Sequence, residues 1–197
     1  GVDVSIHSLT KYVVGHSDAL LGVIIARDRE AYRQIRGLHG SMGITVSPDD
    51  AYLGLRGLRT LATRLRQHQE GALEVAAWLR EQPQVREVLY PALPGAPGHE
   101  LWKRDFTAAS GLFGVILHPA SEGAVAAMLD GMRWFGMGYS WGGFESLAIP
   151  VKTADYRLGS PVQEGEVCLR IHVGLEHPKD LIADLEEGLQ RLQAHGG

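Results

Sequence analysis

A helical pattern of unusual length, lying a quarter of the way along the chain, most constrains what this sequence can fold into. Ser47-Pro48-Asp49-Asp50 opens it, with a capping hydroxyl, a proline at the first turn and acids at the positive end of the helix dipole. Apolar residues then recur at helical spacing from Ala51 to Gln82, through Leu55, Leu58, Leu61, Ala62 and Leu65, then Leu73, Ala76 and Ala77. Gly54, Gly57 and Gly71 interrupt the pattern, so the spacing predicts one kinked helix or two helices in line. Such a helix suits a connector over 48–82, with one domain over 1–47 and another over 83–197.

The flanks differ in character. Val2 to Ile6 alternates and reads as a strand, and Leu20 to Ala26 is a continuous apolar run that reads as a buried strand. Asp28 to Gly37 reads as a short polar helix, followed by a Gly-rich irregular stretch to Val46. Beyond Pro83, strands are expected at Val85–Tyr90, Leu112–Leu117 and Val167–Val173, and helices at Glu122–Met132 and Pro178–Gln193. Pro91 to Gly98 reads as a loop, and Phe135 to Ser140 as loop or strand. This mixture predicts an α+β C-terminal domain. The 197 residues are 45% hydrophobic, which permits a packed core. A net charge of −4 and the lack of a Lys/Arg block argue against a nucleic-acid partner. No apolar run approaches the ~20 residues of a membrane span. The single cysteine, Cys168, excludes an internal disulfide, fits a reducing cytoplasm and reads as a small buried hydrophobe.

Three groups of residues carry chemistry. Ser8 and Thr10 are two apart, so on an extended segment their hydroxyls share a face, beside the amine of Lys11. Two hydroxyls suit phosphate oxygens and a lysine suits imine chemistry with an aldehyde, although from spacing alone a surface segment is the plainer reading of the tripeptide. Tyr139-Ser140-Trp141-Gly142-Gly143 joins a hydroxyl and an indole wall to a glycine pair that permits close backbone approach; a turn among core aromatics is the plainer alternative. Arg170 sits in an alternating apolar segment, where a guanidinium needs an anion or a salt bridge. His172 shares its face. The remaining histidines show no metal-ligand spacing, and no metal is expected. Arg56, Arg59 and Arg64 read as solvated or interfacial, and Asp180 and Asp184 as the polar face of the last helix.

Taken in order, these segments resemble one family. Ser8-Leu9-Thr10-Lys11-Tyr12 with Gly15-His16-Ser17-Asp18, Arg56-Gly57-Leu58-Arg59-Thr60-Leu61, Gly142-Gly143 with Glu145-Ser146-Leu147, and Arg170 with Val173-Gly174-Leu175-Glu176 match the C-terminal part of the cystathionine lyase and synthase family. These are pyridoxal-phosphate enzymes of transsulfuration. The resemblance implies an aspartate-aminotransferase-like α/β fold of type I, seen here as the end of the cofactor domain, the connector helix and the C-terminal domain. It implies that Lys11 carries pyridoxal 5'-phosphate and shuttles protons, that Ser8 and Thr10 hold the phosphate, and that Arg170, aided by Ser140 and Trp141, binds the substrate carboxylate.

Tyr139-Ser140-Trp141 before the paired glycines resembles the β-acting branch rather than the Glu-Ser-Leu of γ-acting enzymes. Arg64-Leu65-Arg66-Gln67-His68 and Trp102-Lys103-Arg104-Asp105-Phe106 point the same way. The implied activity is carbon–sulfur β-elimination of cystathionine to homocysteine, pyruvate and ammonia, in a cytoplasmic homo-oligomer (a dimer of dimers) acting on a small sulfur amino acid. A γ-acting enzyme such as a methionine γ-lyase, and a non-catalytic folding or association module, are the alternatives. The family's ring-stacking aromatic, its pyridine-nitrogen aspartate and its phosphate loop lie upstream of the lysine. The expectation is therefore that the chain is a piece of a longer enzyme and is inactive alone.

Overall fold

Local signals start the helices where the sequence predicts. The Asp28 carboxylate accepts the backbone N–H groups of Glu30 at 3.1 Å and Ala31 at 2.9 Å, opening helix α1 (Arg29–Ser41). That helix runs past Gly37 to Ser41, through part of the stretch read as irregular. The Ser47 hydroxyl accepts the Asp50 N–H at 3.0 Å, and Pro48 fills the first turn of α2 (Pro48–Leu58). The pattern breaks at Arg59 and Thr60, and α3 (Leu61–Arg80) follows, so the long helical stretch is two helices.

The computed structural model describes residues 1–153 and 159–196. It divides into two compact units, Gly1–Ala62 and Thr63–Gly197. In the first, β1 (Val4–Ser8) pairs antiparallel with β2 (Gly22–Ala26), from Val4 opposite Ala26 to Ser8 opposite Gly22. The apolar run over β2 is not buried as expected: Ile24 is 44% exposed and Ile25 53%. A two-stranded ribbon offers each side chain too few neighbours to cover it.

The second unit holds a four-stranded antiparallel sheet in the order β3-β4-β6-β5, comprising β3 (Val85–Leu89), β4 (Leu112–Leu117), β5 (Leu147–Pro150) and β6 (Val167–His172). Val75 and Leu79 of α3, Val115, Leu169 and Ile171 of the sheet, Met128 of α5 (Glu122–Asp130) and Leu181 and Leu185 of α6 (Pro178–Ala194) share one core. Gly71 lets α3 come close to Val173 and Pro178, because a β-carbon there would meet the Val173 side chain at 3.2 Å.

Two elements carried no sequence signal strong enough to predict. β5 is four residues ending at Pro150, too short for alternation to show. The helix α4 (His99–Asp105) has seven residues and no side-chain cap. Phe135 to Ser140 is irregular, apart from a bridge between Gly136 and Leu147.

Candidate functional site

In the first unit, β1 delivers Ser8, Thr10 and Lys11 into a turn. The turn closes through Val14 N–H to the Leu9 carbonyl and Gly15 N–H to the Lys11 carbonyl, each at 2.9 Å. Thr10 fastens it to the far side of the loop: its hydroxyl donates to the Leu21 carbonyl at 3.2 Å and accepts the Leu21 N–H at 3.0 Å. His16 bonds the Val14 carbonyl through Nδ1 at 2.7 Å, and Gly15 and Ser17 adopt positive φ, so the segment after the lysine is a tight turn.

The glycines of α2 set where this turn lies. A β-carbon at Gly57 would overlap the Val13 carbonyl oxygen and sit 2.8 Å from that of Val14, and one at Gly54 would meet Leu21 at 3.2 Å. The buried face of α2 is thus Gly54 and Gly57, whereas Leu55 and Leu58 are exposed. Read from sequence, these glycines are flaws in a helix; here they let the backbone of the lysine turn rest on the helix backbone. Val14, His16, Asp18, Arg56 and Thr60 line a small cavity of about 140 Å³ beside it.

In the second unit, Ser140, Trp141 and Arg170 come together. Arg170 projects from β6, and its Nη2 donates to the carbonyls of Gly138 at 3.0 Å and Ser140 at 3.2 Å. The guanidinium carbon lies 5.3 Å from the centre of the Trp141 ring, a cation–π arrangement. Nε and Nη1 carry three further N–H donors suited to a carboxylate. Partial burial lowers the Arg170 pKa from its ordinary value, but a group that basic stays cationic at neutral pH.

His172, two residues along the same face, is fully buried, and its Nε2 accepts the Gly142 N–H at 3.0 Å. Burial, and then the neighbouring His68, push its pKa down to about 4. Further along, the Glu176 carboxylate accepts the N–H and hydroxyl of Ser146, both at 2.8 Å, and Ser146 Oγ accepts the Gly174 N–H at 2.8 Å. The 138–146 segment is therefore strapped to β6 and its continuation at several points.

Two residues read as polar-face or solvated, Arg64 and Asp184, are buried, and so is His68. Arg64 of α3 is 7% exposed, and burial lowers its pKa, so the solvated reading does not hold for it. Asp184 of α6 is 3% exposed and accepts the N–H groups of Arg133 (2.9 Å), Trp134 (2.7 Å) and Phe135 (3.1 Å), which anchors the backbone leading into the strap. His68 is buried and bonds the Val173 carbonyl at 2.8 Å through Nδ1. Each sits at helical spacing among apolar neighbours, but only the segment that packs against it makes that spacing mean burial. Cys168 is buried as expected, and burial pushes its thiol pKa up.

The description Cys/Met metabolism PLP-dependent enzyme matches residues 1–190. The chain belongs to this family. Within the family, it is 48% identical over 98% of its length to cystathionine beta-lyase MetC of Escherichia coli (strain K12), covering 49% of that protein. It is 44% identical over 98% of its length to an L-alanine/L-glutamate racemase of Wolbachia pipientis wMel, covering 48% of it. The structure of cystathionine gamma synthase from Xanthomonas oryzae pv. oryzae in complex with cystathionine superposes with a TM-score of 0.90 at 39% identity, over 99% of this chain and 51% of that one. The fold is that of type I pyridoxal-phosphate enzymes, and the chain spans about half the length of the curated relatives it matches.

The family is pyridoxal-phosphate-dependent, and the donors of the first unit fit that group in kind. Lys11 offers an amine on a turn whose backbone is fixed by Gly57, and Ser8 offers a hydroxyl at the end of β1. The Thr10 O–H already donates to Leu21, so for Thr10 to hold a phosphate that bond has to be exchanged. Among the described residues, no group of three or more His, Cys, Asp or Glu gathers to hold a metal, and no helix is long and apolar enough to cross a membrane.

Proposed function

We propose that the longer protein carrying this chain is a carbon–sulfur β-lyase that, with one water, converts cystathionine to homocysteine, pyruvate and ammonia. The observation that carries this reading is the strap over 138–146, held on Arg170 by the Gly138 and Ser140 carbonyls and by Trp141. It brings a guanidinium and an indole face together beside the Ser140 backbone, which suits an amino acid's carboxylate and its side chain.

Lys11, with Ser8 and Thr10 on the phosphate, would hold the cofactor. When bound, pyridoxal phosphate supplies the electron-withdrawing ring that acidifies the substrate Cα–H. The Lys11 amine takes that proton and returns one to the departing sulfur. Arg170 fixes the carboxylate and with it the direction of the Cα–H bond. Tyr139, 86% exposed, stands where γ-acting relatives carry an acid, and a single deprotonation at Cα suffices for β-elimination. We assign residues 1–47 to the cofactor domain, 48–82 to the connector and 83–197 to the C-terminal domain, in a cytoplasmic dimer of dimers. The 197-residue chain alone is expected not to turn over cystathionine.

The likeness to an L-alanine/L-glutamate racemase supports a second reading in the same site, and that to a γ-synthase a third. Product analysis separates them. Pyruvate with homocysteine from cystathionine supports the β-lyase. Cysteine with 2-oxobutyrate identifies a γ-acting enzyme, and D-alanine formed from L-alanine without pyruvate identifies a racemase. Arg170→Ala should weaken amino-acid binding by roughly 10- to 150-fold, the loss of one charge-assisted pair. Borohydride treatment of the holoenzyme should attach the cofactor to Lys11; a label on Lys103, Lys152 or Lys179 would reject the assignment.

A further inference from the structure

We propose that His172 is a positioning residue: by accepting the Gly142 N–H it holds the strap that carries Ser140 and Trp141 in the geometry that binds the substrate. The inference rests on the reading of that strap as the amino-acid site. A backbone N–H can only donate, so in its bond with Gly142 the His172 Nε2 accepts and carries no proton. The Gly143 carbonyl, 3.4 Å from the same nitrogen, is then a contact rather than a bond.

The ring has to be neutral for this, and its surroundings keep it so. It is 1% exposed, and the titratable neighbours packed around it are the His68 ring at a centroid distance of 5.3 Å, Glu145 and the Arg170 cation on the same strand face. Burial and the two basic neighbours disfavour a second proton more strongly than the Gly143 carbonyl and Glu145 favour it, and the pKa lies near 4. Alternation along β6 aims Arg170 and His172 at the same segment. Arg170 takes the carbonyls at its start, Gly138 and Ser140, and His172 takes the N–H at its end. Trp141 and the Ser140 side chain lie between the two grips. Gly142, at φ 82°, is free to turn its N–H toward the ring.

The test uses the full-length holoenzyme with His172→Gln and His172→Asn. Glutamine places an amide oxygen about where Nε2 lies, whereas asparagine is one carbon too short. Hydrogen exchange at the Gly142 amide reports the bond without turnover. Binding of L-alanine, which has no leaving group on Cβ, reports the strap whichever elimination the enzyme performs. His172→Asn should speed Gly142 exchange and raise both the L-alanine Kd and the substrate KM by roughly 10-fold or more, with kcat falling less. His172→Gln should stay within about threefold of wild type on all of these. Wild-type exchange in His172→Asn overturns the proposal, as does faster exchange with an unchanged Kd, which would mark a purely structural bond. Should His172→Asn fail to fold, His172→Gln decides alone: retained Kd and Gly142 protection support the role, and their loss overturns it. A β-lyase assay that fails while the exchange and L-alanine results hold would reject the activity and leave the positioning role standing.

Discussion

The two units contain the same kinds of local structure and very different interiors. Of the buried hydrophobic side chains among the described residues, Val14 alone lies in the first unit; the others, from Ala72 to Leu192, are in the second. Yet the first unit has capped helices, a registered hairpin and a closed lysine turn. Caps and strand pairing shape a segment, and core packing supplies most of its stability. The lysine turn therefore depends on a few specific contacts, above all the backbone approach at Gly57, whereas the arginine strap stands on a full core. This difference is open to experiment.

Gly57→Val should have the largest effect. Its β-carbon has backbone oxygens, not a movable side chain, in its way, so the turn must leave the helix at a cost of about 3 kcal/mol or more. Chymotrypsin cleavage near Tyr12 should increase while near-ultraviolet signals of the second unit persist. Loss of those signals together with the increased cleavage would mean that the contrast between the units does not hold.

Asp184→Ala probes the second unit. It leaves the N–H groups of Arg133, Trp134 and Phe135 without their carboxylate, for roughly 3 kcal/mol. Denaturant unfolding should show a lower midpoint, with Asp184→Asn in between; an unchanged midpoint would refute the anchoring role.

Acid should act on the second unit through His172. Its folded pKa of about 4 lies below the unfolded ~6.5, so the folded state binds fewer protons between these values. The stabilisation is complete above about pH 6.5 and is lost as pH falls towards 4, on the order of 3 kcal/mol. His68, also lowered by burial, adds in the same direction. In His172→Gln the slope of melting temperature against pH over this window should flatten.

The smallest effect is the sharpest check on the first unit. Ile25→Thr, on a half-exposed β2 position, should change stability by less than ~0.5 kcal/mol. A loss of several kcal/mol, as for a core isoleucine, would show that this face is covered and end the contrast between the units.

Much of this was legible in the chain itself. The Ser47-Pro48 start, the strand leading to Lys11, and the alternation that puts Arg170 and His172 on one strand face all follow from spacings of a few residues. The segments around Lys11, Gly142-Gly143 and Arg170 were enough for the resemblance to the family whose description matches residues 1–190. Tertiary structure alone decided which face of α2 is buried, glycine rather than leucine, and that the apolar run over β2 stays exposed. It also decided that Arg64 and Asp184 lie inside, and that Gly142 donates to His172. Periodicity says which residues share a face; what that face meets comes from segments tens of residues away, such as Gly142 reaching a histidine across 30 positions of sequence.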